Sequence, residues 1–286
     1  MTNSPPVTLG SVRFEADVTD DSGVLWLCED LAGWAEPPGT TQDPAKRPLD
    51  HGGWFSDSWY LPRLLTLGAV IDAPDPGALQ AALHSLRSQL AASVRASVTL
   101  LVEELDGTRS LAVRASQTVP GVSYLGDRAV RLAVELVAAW PIKAGASRSA
   151  SAAGNTPGVG RTYPRGGPNP WWTYGPSGST GDMSPVNAGN APVHPVWVIN
   201  GPVTNPRIIS PDQGRTLSFA ITLAVGDVLA ADTDTRTVVL NQLGNRRYVL
   251  TPDSAWFDLL PGQNNVQFRS SSNTGSVTVY YSDGWW

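Results

Sequence analysis

The sequence holds one cysteine, Cys28, so it can build neither an internal disulfide framework nor a cysteine-based zinc cluster. Charged residues are scarce at 16%, against 41% apolar residues, which is the balance of a folded chain rather than a disordered one. No run approaches the ~18 consecutive apolar residues of a membrane span. The opening Met1-Thr2-Asn3-Ser4-Pro5-Pro6 lacks a basic stretch and an apolar core. No secretory signal is expected, and the chain is expected to fold in a cytoplasm. Histidine is limited to His51, His84 and His194, and no two have the spacing of a helical metal pair. Neither a Gly-x-Ser-x-Gly nucleophile turn nor a phosphate-cradling Gly-x-x-x-x-Gly-Lys occurs.

What is abundant is punctuation. The 286 residues include 28 Gly and 24 Pro, enough chain for two domains and enough breakers for many turns. Charge is uneven. Residues 1–142 hold 17 acids and 10 bases, net −7; residues 143–181 hold Lys143, Arg148, Arg161 and Arg165 and no acid, net +4; residues 182–286 hold 8 acids and 6 bases, net −2. An acidic first domain argues against binding of duplex DNA, which needs clustered Lys and Arg.

The first domain, residues 1–142, reads as strands around one helix. Val7 to Val18 and Val24 to Cys28 are expected to pair as a hairpin across Asp20-Asp21-Ser22-Gly23. Leu31 to Pro62 holds five prolines with Trp34, Trp54, Phe55, Trp59 and Tyr60, and is expected to be a long irregular loop pinned to a surface. Asp75 as a cap, Pro76 at the first helical position, and Leu79, Leu83, Leu86 and Leu90 as a stripe predict a helix over 76–92. Three strands come next, with a hairpin signal at Asp106-Gly107. Residues 143–185 read as a Gly/Ser/Pro-rich linker, in which Trp171, Trp172 and Tyr174 form a docking point and Arg148, Arg161 and Arg165 are expected to be cut first by trypsin. Residues 186–286 read as an antiparallel β-sandwich. Strands are expected at 196–200, 206–210, 215–223, 228–232, 236–241, 246–250, 255–258, 264–270 and 276–282. The fold class is thus mainly β, a barrel or sandwich with one packed helix followed by a second sandwich.

The paired acids Asp20-Asp21, Glu29-Asp30, Glu103-Glu104 and Asp232-x-Asp234 are the only candidates for glycosidase carboxylates or a calcium site. Adjacent strand residues point to opposite faces, so Glu103 and Glu104 cannot share a site. The other pairs at Asp20 and Asp232 sit in turns, where Asp is ordinary. No catalytic residue, cofactor site or metal site is assigned. Trp197 and Trp256 lie in strand patterns and are expected in the core.

Several segments together resemble one family, the siphophage distal tail proteins with their galectin-like C-terminal domain. They are Arg63-Leu64-Leu65-Thr66-Leu67-Gly68-Ala69-Val70-Ile71 before the helix, Val225-Gly226-Asp227-Val228-Leu229, Val238-Val239-Leu240-Asn241, and Asp253-Ser254-Ala255-Trp256-Phe257-Asp258-Leu259-Leu260-Pro261-Gly262-Gln263-Asn264. The resemblance implies a structural virion protein of the distal tail, not an enzyme. It implies a ring, hexameric in the family, that joins the tail tube to the tip or baseplate. Expected partners are other copies of itself, the tube protein, and the hub, tail-associated and tape-measure proteins; genome DNA would pass through the channel without specific binding. The first domain would line that ring, with Asp20, Asp21, Glu103, Glu104 and Asp106 as candidate lumen carboxylates. Trp34, Trp54, Trp59, Tyr60, Trp171, Trp172 and Tyr174 are the expected interface residues. The alternative reading is a carbohydrate-binding adhesin module at the virion tip.

Overall fold

A computed structural model describes residues 5–41, 45–47, 49, 51, 53–55, 57–116, 121–162, 173–174 and 177–286. The chain forms two compact units, residues 1–146 with Trp286 and residues 147–285. Strands are antiparallel throughout, and the fold is mainly β.

The first unit contains β1 (Val7–Leu9), β2 (Val12–Phe14), β3 (Leu25–Ala32), β4 (Ala45–Lys46), β5 (Gly53–Trp54), β6 (Arg63–Asp72), α1 (Pro76–Ser93), β7 (Val98–Glu104), β8 (Gly107–Ala115), β9 (Gly121–Tyr124), β10 (Ala129–Ala138) and the start of β11 (Lys143–Ala153). One layer runs β2-β1-β7-β8-β11 and the other β9-β10-β6-β3. Alternation sets which residues turn inward. Leu65, Leu67, Ala69 and Ile71 of β6 are buried, and so are Val130, Leu132, Val134 and Leu136 of β10. In register, Val134 faces Leu67 and Leu136 faces Leu65. Helix α1 starts where Asp75 Oδ1 accepts from the amides of Gly77 and Ala78 at 2.8 and 2.9 Å. Its stripe of Leu79, Leu83, Leu86 and Leu90 is fully buried, about 1.5–3 kcal/mol of apolar transfer for each leucine.

Two expectations in this unit are corrected. Val7 to Val18 is not one strand: Gly10, at φ +60°, turns the chain so that Leu9 pairs with Val12. The first hairpin is therefore β1–β2; the expected turn at Asp20–Gly23 is also formed, with Thr19 bridging Leu25 and Glu15 N donating to Trp26 O, and β3 pairs with β6 along its length. The two-residue turn between β7 and β8 is Leu105-Asp106, with Glu104 facing Gly107, and Gly107 takes φ +142°.

The segment expected to open a linker at 143 is instead an 11-residue strand, β11, and the boundary between the units falls inside it. Arg148, expected to be an early protease site, is held in that strand. Its Nε lies 2.8 and 2.7 Å from the two carboxylate oxygens of buried Asp283. Gly and Ser do not exclude a strand when a long neighbour and a buried acid pin it. Arg161 opens a two-residue strand, and Arg165 lies outside the described residues.

In the second unit, Val196–Asn200 pairs with Ser276–Trp285 on one side and Val228–Asp232 on the other, and Thr237–Leu240 and Gly244–Asn245 extend the sheet. The facing sheet is Asp182–Met183, Val266–Arg269, Arg207–Ser210 and Arg215–Ser218. Trp197, Phe219, Phe257 and Phe268 fill the space between. Trp197 packs against Phe257 with centroids 5.4 Å apart, and Trp256 lies half-buried against the same core. Residues 247–249, expected as a strand, form a 3-10 turn, because Asn245 Oδ1 caps the amide of Arg247. Residues 255–258 form no strand either, although Ala255 N still donates to Thr216 O.

Candidate assembly surface

The described part of residues 33–62, expected to be irregular, is an extended hairpin arm. Leu61 N donates to Gly39 O at 2.7 Å, and Thr41 N donates to Trp59 O at 2.8 Å. Thr40 bridges Tyr60, and further out Ala45 pairs with Trp54 and Lys46 with Gly53. The pairs lie along one antiparallel path. Each regular stretch is two residues or fewer, so no alternation in the sequence could announce it.

The arm presents apolar surface that the described residues of its unit leave exposed. Phe55 is 96% exposed, Trp59 71% and Trp54 61%. The Arg47 guanidinium lies 4.5 Å from the Trp54 centroid, and Tyr60 stacks on Trp286 with centroids 4.2 Å apart. Clustered exposed aromatics of this kind mark a protein interface more often than a sugar site.

The root of the arm is built differently. Arg63, the residue that opens β6, is almost fully buried. Its Nε donates to Pro141 O at 3.0 Å, and its Nη1 is shared among the carbonyls of Gly33, Trp34 and Glu36 at 2.9, 3.1 and 2.6 Å. Nη2 is buried with no partner among the described residues. Lys143 Nζ donates to the same Trp34 carbonyl at 3.0 Å and lies 4.9 Å from the Trp34 ring centroid. Gly33 makes the turn at φ +82°, and a Cβ there would stand 2.1 Å from Leu64 O. Burial lowers Arg63 and Arg109 below their ordinary range. It pushes Lys143 down to about 8, with repulsion from Arg63 and Arg109 adding to the effect.

Trp34 therefore departs from the expected interface set. Its ring is in the core, and Nε1 donates to Glu104 Oε1 at 2.6 Å. Glu104 also pairs with Arg109, whose Nη2 lies 2.6 Å from Asp106. Trp54, Trp59 and Tyr60 are exposed. Trp171 and Trp172 lie outside the described residues, and Tyr174 belongs to a two-residue strand, Thr173–Tyr174. The residues that sequence reasoning missed are Arg63, Lys143, Glu104 and Arg109. The one visible signal was an arginine at the head of an otherwise apolar strand.

Four of the five expected lumen carboxylates are engaged within the first unit. Glu103 and Glu104 do take opposite faces, but Glu103 is bound by Arg13 at 2.6 Å, and Glu104 and Asp106 by Arg109. Asp20 caps its own turn, accepting from Ser22 N, Val24 N and Trp26 Nε1, and these bonds hold its pKa down against burial. Asp21, beside it in the same turn, is exposed.

In the second unit, His194 Nδ1 and Asp258 Oδ1 lie 2.6 Å apart, and this bond raises the His194 pKa, with Asp234 and Asp232 adding a smaller pull. Buried Cys28, in the first unit, has its thiol pushed up to about 11 by burial, which makes it an unreactive core residue. Among the described residues, no three His, Cys, Asp or Glu side chains converge on one point.

Residues 188–285 match the family model of the siphovirus-type tail component, C-terminal domain. No curated protein sequence matches the chain. Among solved structures, the chain is similar to the SPP1 Dit protein, described as a paradigm of the hub adsorption apparatus in phages that infect Gram-positive bacteria. The TM-score is 0.68 at 11% identity, over 97% of this chain and 98% of that one. It is also similar to a chain of the phage P2 baseplate in its activated conformation with Ca, at TM-score 0.50 and 10% identity, over 98% of both chains. Residues 188–285 thus match the siphovirus-type tail component C-terminal domain, and the chain as a whole shares its fold with the SPP1 Dit protein.

Proposed function

We propose that this protein is a structural hub of a phage tail tip, that copies of it close into a ring, and that the ring joins the tail tube to the tip or baseplate proteins. One observation carries the reading: an arm whose Trp54, Phe55 and Trp59 are left largely exposed among the described residues stands on a root fixed by buried Arg63 and Lys143. Fixing a root in this way pre-organises the arm and lowers the ordering cost of binding. Trp54, Phe55 and Trp59 would be the contacts between copies. The polypeptide needs no catalytic group for this role, and we read it as a non-enzyme. Genome DNA would pass the channel without specific binding, consistent with the excess of 17 acids over 10 bases in residues 1–142.

Mass by light scattering tests the ring. A closed hexamer gives six times the 30.3 kDa chain, and negative-stain images show a central hole. A monomer at tens of micromolar would overturn the proposal.

A further inference from the structure

In the second unit, residues 241–248 are eight exposed residues in a row. They leave the strand Thr237–Leu240, turn through Asn241-Gln242-Leu243, return as Gly244–Asn245 and enter the 3-10 turn Arg247–Val249. Such exposure usually belongs to a loose loop. This backbone is fixed. Asn241 and Gln242 both hold positive φ, +50° and +59°, a conformation that non-glycine residues keep only when their surroundings enforce it. Asn241 Oδ1 accepts from Val228 N at 2.8 Å, and its Nδ2 donates to Asp227 Oδ1 at 2.9 Å. At the far end Val249 is buried, and its carbonyl accepts from Ala220 N at 2.7 Å.

On this frame stand two arginines and a tyrosine. Tyr248 is 74% exposed, and Arg246 lies 5.8 Å from its ring centroid with Nη1 donating to its hydroxyl at 2.9 Å. Among the described residues, neither Arg246 nor Arg247 has a carboxylate within ion-pair distance. Arg13, Arg109, Arg131, Arg148 and Arg269 all do. Two exposed guanidiniums without counter-charges, beside a flat ring and the exposed amides of Gln242 and Asn245, make a recognisable chemical set.

We propose that Arg246, Arg247 and Tyr248 form a binding ledge for an anionic carbohydrate, a sugar chain that carries phosphate or carboxylate groups. Guanidinium forks match the two oxygens of such an anion. A tyrosine ring gives a sugar's C–H face a rigid amphipathic surface at small entropic cost. An acidic protein segment would use the two charges and leave the ring without a role, so the sugar is the better fit. The ledge does not depend on ring assembly and goes beyond it.

The test is calorimetric titration of the full chain with oligogalacturonate, with a glycerol-phosphate oligomer, with neutral maltoheptaose and with poly-glutamate. The anionic sugar is expected to bind at low salt and maltoheptaose roughly tenfold or more weakly. Arg246→Ala with Arg247→Ala is expected to weaken the anionic probes by roughly tenfold or more, and Tyr248→Ala to weaken oligogalacturonate by several-fold. All three side chains are exposed, so the thermal midpoint of each variant should match the parent and rule out unfolding. Three results overturn it: oligogalacturonate does not bind, whether or not the glycerol-phosphate oligomer does; the double arginine variant binds unchanged; or poly-glutamate binds as tightly as oligogalacturonate.

Discussion

Trp34 Nε1 donates to Glu104 Oε1 at 2.6 Å, while the Trp34 carbonyl accepts from both Arg63 and Lys143. One residue thus ties the root of the arm to the β7–β8 hairpin through its ring and to β6 and β11 through its backbone. Trp34→Phe keeps the ring and removes only the indole donor. Glu104 retains Arg109, so the expected loss is about 1–2 kcal/mol, read as a lower urea midpoint with an unchanged slope. A midpoint equal to that of the parent would show that the Trp34–Glu104 bond contributes nothing.

Arg63 should cost more. In Arg63→Met, the carbonyls of Pro141, Gly33 and Glu36 lose this donor together, and the Trp34 carbonyl keeps Lys143. Removing one side of a buried polar set typically costs about 3–5 kcal/mol. The same variant should free the arm, so that trypsin cuts after Lys46 well before it cuts elsewhere. Loss of stability without faster cleavage there would separate Arg63's packing role from the anchoring role given to it.

Deleting residues 37–50 removes the outgoing side of the arm, which pairs with Trp54, Trp59, Tyr60 and Leu61, and keeps Gly33, Trp34 and Glu36 under Arg63. The deletion variant is expected to remain a folded monomer and to lose the high-mass species in light scattering. Normal assembly of this variant would exclude the arm from the interface.

The His194–Asp258 pair gives a pH dependence whose sign is set by the raised His194 pKa. A histidine that gains a proton more readily when folded stabilises the fold fully below its unfolded value near 6.5, and the contribution fades as pH rises through the folded value. The melting temperature of the second-unit transition should therefore fall between about pH 6 and pH 8. Asp258→Asn should flatten that slope. A slope that survives the substitution would assign it to another group.

The strand register of the cores was legible because burial writes a period into the sequence. β6 and β10 alternate over ten residues each, and α1 announces itself by cap, proline and leucine stripe. The arm was not legible, because its ladder is held by scattered backbone bonds at Gly39, Thr41 and Trp59, with no run long enough to show a period. β11 was misread for a related reason. Composition at Gly145, Ser147, Ser149 and Ser151 spoke for a loop, while the partner that holds the strand, Asp283, lies 135 residues away from Arg148. The arginines of the ledge were likewise invisible, since only the fold shows that, among the described residues, Arg246 and Arg247 lack the acids that Arg13 and Arg131 have.

The clamp at the base of the arm grips carbonyl oxygens, and every residue type has one. Arg63 and Lys143 hold Gly33, Trp34 and Glu36 by their backbone, indifferent to the side chains further along the arm. Beyond Glu36 the hairpin can therefore drift in composition, lengthen or shorten, while its point of departure stays fixed. Relatives with this fold could fit different neighbours by rewriting this one stretch and leaving both cores untouched. The constant element in such a lineage would be an arginine at the head of a strand, with the aromatics it supports free to change.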